Sequence, residues 1–143
     1  MRGWIVAGLG TLALLLPLAA CGGSDDAEAD EGSLRLELVE QNGSGQAGTA
    51  TLTPSGDGTT AVAVELDNPP GQPQPAHVHA GTCDDIGDVV APLESLTDGA
   101  SESNVPLTLA ELERGGLIVH AHKSEAEFDV SVACSAIPES SSE

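Results

Sequence analysis

Tyrosine is absent from these 143 residues, and tryptophan and phenylalanine occur once each. Trp4 lies near the N-terminus, so Phe128 is the single aromatic side chain left to the rest of the chain. That scarcity rules against base-stacking platforms and aromatic sugar sites. Positive charge is nearly as scarce: four lysines and arginines stand against 23 aspartates and glutamates, a formal charge of −19. Such a surface repels nucleic acid and anionic lipid headgroups, and it attracts cations without choosing among them. No nucleic-acid partner is expected. Without aromatics the core must be built from Val, Leu, Ile and Ala, and a small domain of that kind gains from a covalent staple.

One long apolar run is present, residues 4–18, preceded by Arg2 and broken only by Gly, Thr and one Pro. It is too short, and too closely followed by small residues, to be a spanning helix, and residues 1–20 read as a secretory signal. Leu18-Ala19-Ala20-Cys21, followed by Gly22-Gly23, resembles the bacterial lipobox, in which the cysteine is acylated and becomes the first mature residue. The resemblance implies lipidation at Cys21 and stable attachment to a membrane, since more than one acyl chain is needed for that. It also implies a lipoprotein of the bacterial cell envelope, facing outside the cytoplasm. Residues 21–32 carry five carboxylates and no large apolar side chain, so they read as a self-repelling tether. Residues 139–143 have the same character, which leaves residues 33–138 as one folded domain.

With Cys21 committed to lipid, Cys83 and Cys134 are the remaining pair in an oxidising compartment, and a disulfide between them is expected. Neither sits in a C-x-x-C arrangement, which makes thiolate metal ligation the weaker alternative.

Histidine is also scarce, and its placement carries the most information. All four histidines fall in two H-x-H pairs, His77-Val78-His79 and His120-Ala121-His122. Their neighbours are valine, isoleucine and alanine, which suits strands, and on a strand each pair projects both imidazoles from one face. Imidazole is the commonest metal ligand, and two such pairs brought together would supply three or four nitrogens to one ion. Either pair alone would read as ordinary surface or core histidine. Both together, with no histidine elsewhere, make a metal site of His77, His79, His120 and His122 the better expectation. Asp84, Asp85 and Asp88 lie close to the first pair and offer acceptors for imidazole N–H groups, although a solvated loop is the plainer reading.

Leu34–Glu40 and Thr60–Leu66 alternate apolar and polar residues, and residues 48–53 are rich in β-branched side chains, so all three read as strands. The proline-rich residues 69–75 end pairing before the first histidine strand, residues 76–80. Short apolar runs at residues 89–90 and 105–109 flank a polar segment, residues 98–104. Thr108 and Glu111 fit a capping box, which predicts one short helix over residues 109–114, ended by Gly115-Gly116. Leu117–His122 is the second histidine strand and residues 128–134 the last. Seven or eight short strands with frequent turns predict an all-β fold: an antiparallel Greek-key sandwich or barrel with one short helix.

His77-Val78-His79 followed by a cysteine, a later Ile-Val-His strand and a terminal Val-Ala-Cys-Ser-Ala-Ile resemble the copper/zinc superoxide dismutase family across residues 46–137. The resemblance implies a superoxide dismutase-like barrel with copper ligands at His77, His79 and His120. His122 competes for the last place, because it lies twelve residues before Cys134 as a ligand does in short bacterial relatives, or it adds a fourth nitrogen. Residues 80–119 contain no histidine, so the family's bridging histidine and zinc subsite are missing. Ser131 stands where the family places its anion-binding arginine. Ala76-His77-Val78-His79, Asp88-Val89-Val90, Pro92-Leu93, the spacing Leu109, Leu112, Gly115, and Val119-His120 also resemble the CHRD domain, a mostly non-catalytic relative in layout. The expected function is metal binding, with copper ahead of zinc by the Irving–Williams order. A copper-only superoxide dismutase is the second reading, and a metal-free structural module the third.

Overall fold

The computed structural model describes residues 32–141. The expected signal peptide, Cys21 and the tether up to residue 31 lie outside the described residues. The described chain forms eight antiparallel strands and one helical turn: β1 Leu34–Glu40, β2 Gly48–Pro54, β3 Thr60–Leu66, β4 Gln74–Gly81, β5 Ile86–Leu96, β6 Ala100–Val105, α1 Leu109–Leu112, β7 Leu117–His122 and β8 Ser131–Ile137. The order across the sheet is β5-β4-β7-β8-β1-β2-β3-β6. The chain therefore leaves one half of the sheet after β3, builds β4 and β5 in the other half, returns for β6, and crosses again to β7. Those crossings realise the expected all-β Greek-key fold, as a nearly closed barrel.

The alternation in β3 shows why these residues make this barrel. Thr60, Val62, Val64 and Leu66 point inward and are buried, while Ala61, Ala63 and Glu65 face outward. Leu36 and Leu38 of β1 and Ala50 and Leu52 of β2 meet them inside. Each fully buried Leu or Val contributes roughly 1.5–3 kcal/mol by leaving water. Leu112 plugs the barrel from α1, which is capped as expected: Glu111 N–H donates to Thr108 Oγ1, and Thr108 N–H donates to the Glu111 carboxylate.

Two expectations are corrected. The polar residues 98–104 belong mostly to β6, because Asp98-Gly99 forms a two-residue hairpin turn joining it to β5. Both turn residues have positive φ, 51° and 82°, the signature of a type I′ turn, and a Cβ on Gly99 would come 2.6 Å from the Leu66 carbonyl oxygen. The last strand begins at Ser131, later than residue 128, because residues 126–129 form a turn that carries Phe128 over the histidines. At the C-terminal end, residues 138–141 have no regular structure, and Ser140 N–H donates to the Glu113 carbonyl.

Candidate metal centre

β4 and β7 are hydrogen-bonded neighbours with His77 directly opposite His120. Alternation sends Ala76, Val78, Val119 and Ala121 into the barrel core, so the two histidine pairs emerge together on the outer face. That outer face is covered rather than open. Cys83 and Cys134 are joined in a disulfide spanning 51 residues, which ties the β4–β5 connection to β8 opposite His120. From the other side Phe128 stacks on His122, with ring centroids 4.0 Å apart and an interplanar angle of 14°. His79, His120 and His122 are accordingly buried, and His77 is half-buried.

Backbone carbonyls set the tautomers, because a carbonyl can only accept. His79 Nδ1 lies 3.0 Å from the Gly87 carbonyl oxygen and His122 Nδ1 lies 2.6 Å from that of Phe128. Both imidazoles therefore carry their proton on Nδ1, and each has a free lone pair on Nε2. His77 Nδ1 sits 3.0 Å from His122 Nε2, so its N–H donates to that lone pair when no ion is bound. His79 Nε2 is buried and has no hydrogen-bond partner among the described residues. One nitrogen from each of His77, His79 and His122 lies within 4.8 Å of the others, close enough to hold a single cation. The carbonyl contacts to Gly87 and Phe128 are the kind of outer support that holds a ligating imidazole in place. Gly87 must be glycine for this, since a Cβ there would approach the Ala80 carbonyl oxygen to 2.9 Å.

Of the two expected candidates for the last ligand, the structure brings His122 into the group and sets His120 beside it. His120 Nε2 is 2.7 Å from Ser131 Oγ, and its Nδ1 is buried without a partner among the described residues. Its ring centroid is still 4.4 Å from that of His122. The pairing of β7 with β8 shifts register between Ala121 and His122, which lets Ser131 reach back to His120. Ser131 is therefore engaged by an imidazole at the position where the superoxide dismutase resemblance implied an arginine. Asp84, Asp85 and Asp88 are exposed, and among the described residues none of their carboxylates accepts from an imidazole; Asp84 and Asp85 lie in the β4–β5 connection as a solvated loop, whereas Asp88 belongs to strand β5.

The environment favours the neutral form of His77, His120 and His122. Burial, followed by the neighbouring His122 and His79, lowers His77 to about 4. Burial and then the other three imidazoles lower His120 to about 3. His122 is also lowered, by burial first, against the opposing bond to the Phe128 carbonyl. Neutral imidazole is the form that binds metal. A cavity of about 200 Å³, lined by Ile86, His120, His122, Phe128, Asp129 and Ser131, opens beside the group.

Three supports had no signal in the sequence reading: the Gly87 and Phe128 carbonyls, the Ser131 hydroxyl, and a buried glutamine pair. Gln46 and Gln74 donate to each other at 3.0 and 2.9 Å, and Gln74 Nε2 reaches the His122 carbonyl at 3.4 Å. No protein-family model, curated protein or solved structure matches this chain.

Proposed function

We propose that the chain is an exported, lipid-anchored protein of the cell envelope that holds one copper ion on the outer face of its barrel, through His77 Nδ1, His79 Nε2 and His122 Nε2. The observation that carries this reading is the buried, unpartnered lone pair of His79 Nε2 beside two further imidazoles. A buried polar atom left unpaired costs about 1–3 kcal/mol, and a cation held by three neutral imidazoles removes that cost. Copper ranks above zinc for such nitrogen donors. Zinc also accepts three histidines, so it is the competitor to exclude. The superoxide dismutase-like order of motifs and the lipobox-like Leu18 to Cys21 support storage or delivery of copper outside the cytoplasm.

A copper-only superoxide dismutase is the second reading, favoured by the small cavity that reaches His122. Copper there would supply reversible one-electron chemistry. Asp129 lines that cavity and the chain carries −19, so the field opposes a small anion, and weak or no dismutase activity is expected. A metal-free CHRD-like module would leave His79 Nε2 without a purpose.

Metal analysis of the purified chain tests the reading. Wild type should hold one copper per chain after competition with a chelator. The His77→Ala/His79→Ala variant should hold none while keeping its β-sheet circular dichroism. Equal uptake by wild type and a variant lacking all four histidines would show adventitious binding to the acidic surface. Rapid superoxide removal by the copper form would move the assignment to the enzyme. For the anchor, Cys21→Ser should leave the membrane fraction or remain unprocessed; an unmodified wild-type mature N-terminus would remove that claim.

A further inference from the structure

Among the described residues four large hydrophobic side chains are well exposed: Val39 at 60%, Val89 at 49%, Phe128 at 44% and Val90 at 43%. Three of the four surround the histidines. Val89 is the direct partner of His79 in the β4–β5 ladder, Val90 is the extra residue of the bulge between that pair and Val78–Ala91, and Phe128 stacks on His122. Scattered exposed hydrophobics need no explanation, but a group of them around one polar centre marks an interaction site. β5 lies at one end of the sheet, and the only described bridge toward β6 lies beyond its last residue, at Thr97–Ala100, so the Ile86–Val90 stretch also presents an open strand edge. Open edges invite pairing with another chain.

Charge decides which chain. Asp84, Asp85 and Asp88 closely precede Val89 in the chain, Glu125 and Asp129 flank Phe128, and all five are exposed. The nearby Lys123 is already paired with Glu127 at 2.7 Å. A second copy brings the same negative rim and is repelled, as is an anionic bilayer. A protein with basic residues around an apolar contact zone is attracted and steered. His77, the one half-buried member of the three-nitrogen group, lies within the collar, 5.5 Å from Phe128 between ring centroids.

We propose that this collar is the docking surface for a second protein that carries the copper ion, apolar at its contact zone and basic around it. The inference rests on the three histidines holding copper. The ion moves from the carrier's ligands to His77, His79 and His122 without changing its oxidation state, and the collar shields it from water during the exchange.

The probes are two synthetic amphipathic peptides, each charged with copper(II) at one His-Ala-His segment and alike in leucine content, one bearing lysines and the other glutamates. Copper transfer to the full-length chain, followed by stopped flow at low salt, should be about tenfold or more faster from the lysine peptide, with the advantage shrinking as salt rises. A Val89→Ser/Val90→Ser variant and an Asp84→Asn/Asp85→Asn/Asp88→Asn variant should each lose most of that advantage, with equilibrium copper affinity unchanged. Equal rates from the two peptides, or wild-type rates in both variants, would overturn the docking surface while leaving the copper site standing. Dimerisation of wild type that the valine variant abolishes would assign the collar to a second copy and overturn the proposal, as would collar-dependent binding to anionic vesicles. Absence of copper binding by wild type would remove both readings together.

Discussion

The two halves of the barrel are built from the same kind of strand and are treated differently. In the half made of β1, β2, β3 and β6 the strands alternate, with one face in the core and the other facing outward, and their ladders run without a register shift. In the half made of β5, β4, β7 and β8 the described register shifts all occur, and β7 is buried at five of its six residues. The difference comes from what lies outside. The disulfide-tied connection and the Phe128 turn form a second layer over β4 and β7, so these strands have two interiors, one apolar and one of imidazole. The regular half supplies packing; the irregular half supplies a polar site that packing alone would not tolerate.

Comparing losses in the two halves should separate these roles. Replacing Cys83 and Cys134 with Ser opens a 51-residue loop, worth about 4 kcal/mol on the chain-entropy model. The same change frees the connection that leads into Gly87 of β5, whose carbonyl orients His79, so copper affinity should fall as well. Leu52→Ala, fully buried in the regular half, should cost about 3 kcal/mol through the cavity it leaves. Its folded fraction should bind copper as wild type does. Denaturant midpoints paired with chelator competition read both quantities. If Leu52→Ala weakened copper binding as much as loss of the disulfide, the two halves would not be separable.

Acid should act on the irregular half first. His77 and His120 are lowered from 6.5 to about 4 and about 3, so between those values the unfolded chain binds protons that the folded chain refuses. Stability of the copper-free protein should therefore be flat above about pH 7 and fall as the pH drops from 6.5 toward 4. Carboxylates join at the lower end of that range: Glu111, held down by its bonds to Thr108, is lowered from 4.5, and Asp57, held down by Thr59, from 3.8, so each loses stabilisation as the pH falls past its unfolded value. Chemical denaturation at closely spaced pH values checks the window. A midpoint unchanged from pH 7 to 5 would mean the imidazoles are not desolvated as a cluster.

Much of the regular half was legible in the sequence, because alternation, turn residues and the Thr108–Glu111 box are local patterns read one element at a time. β1, β3 and β7 begin and end where their patterns do. β6 is not legible from its own residues, since ASESNV has too few apolar side chains to announce a strand, although Asp98-Gly99 is a hairpin signal. At the site the H-x-H spacing was enough to place four histidines on one face. Which three converge depends on a register shift between β7 and β8 and on carbonyls from distant loops, and neither leaves a mark in residue identity. Ser131 is the sharpest case. Its position suggested a missing arginine, whereas its hydroxyl belongs to His120.

Ser131 also offers the smallest and most discriminating test. Ser131→Ala removes the one described hydrogen bond to the His120 ring, leaving a buried imidazole with both nitrogens unpaired. The cost should be about 1 kcal/mol, and Ser131→Thr, which keeps the hydroxyl, should recover most of it. Copper affinity should change by less than about threefold, because His120 stands outside the three-nitrogen group and RT ln 3 is well under the worth of a ligand. Ser131→Arg should be worse than Ala, since a guanidinium cannot take the serine's place against His120 without displacing the rings beside it. Titrating copper into the three variants and into His122→Ala decides the matter. If Ser131→Ala loses affinity as severely as His122→Ala, then His120 is itself a ligand held by the serine, and the site has four nitrogens in place of three.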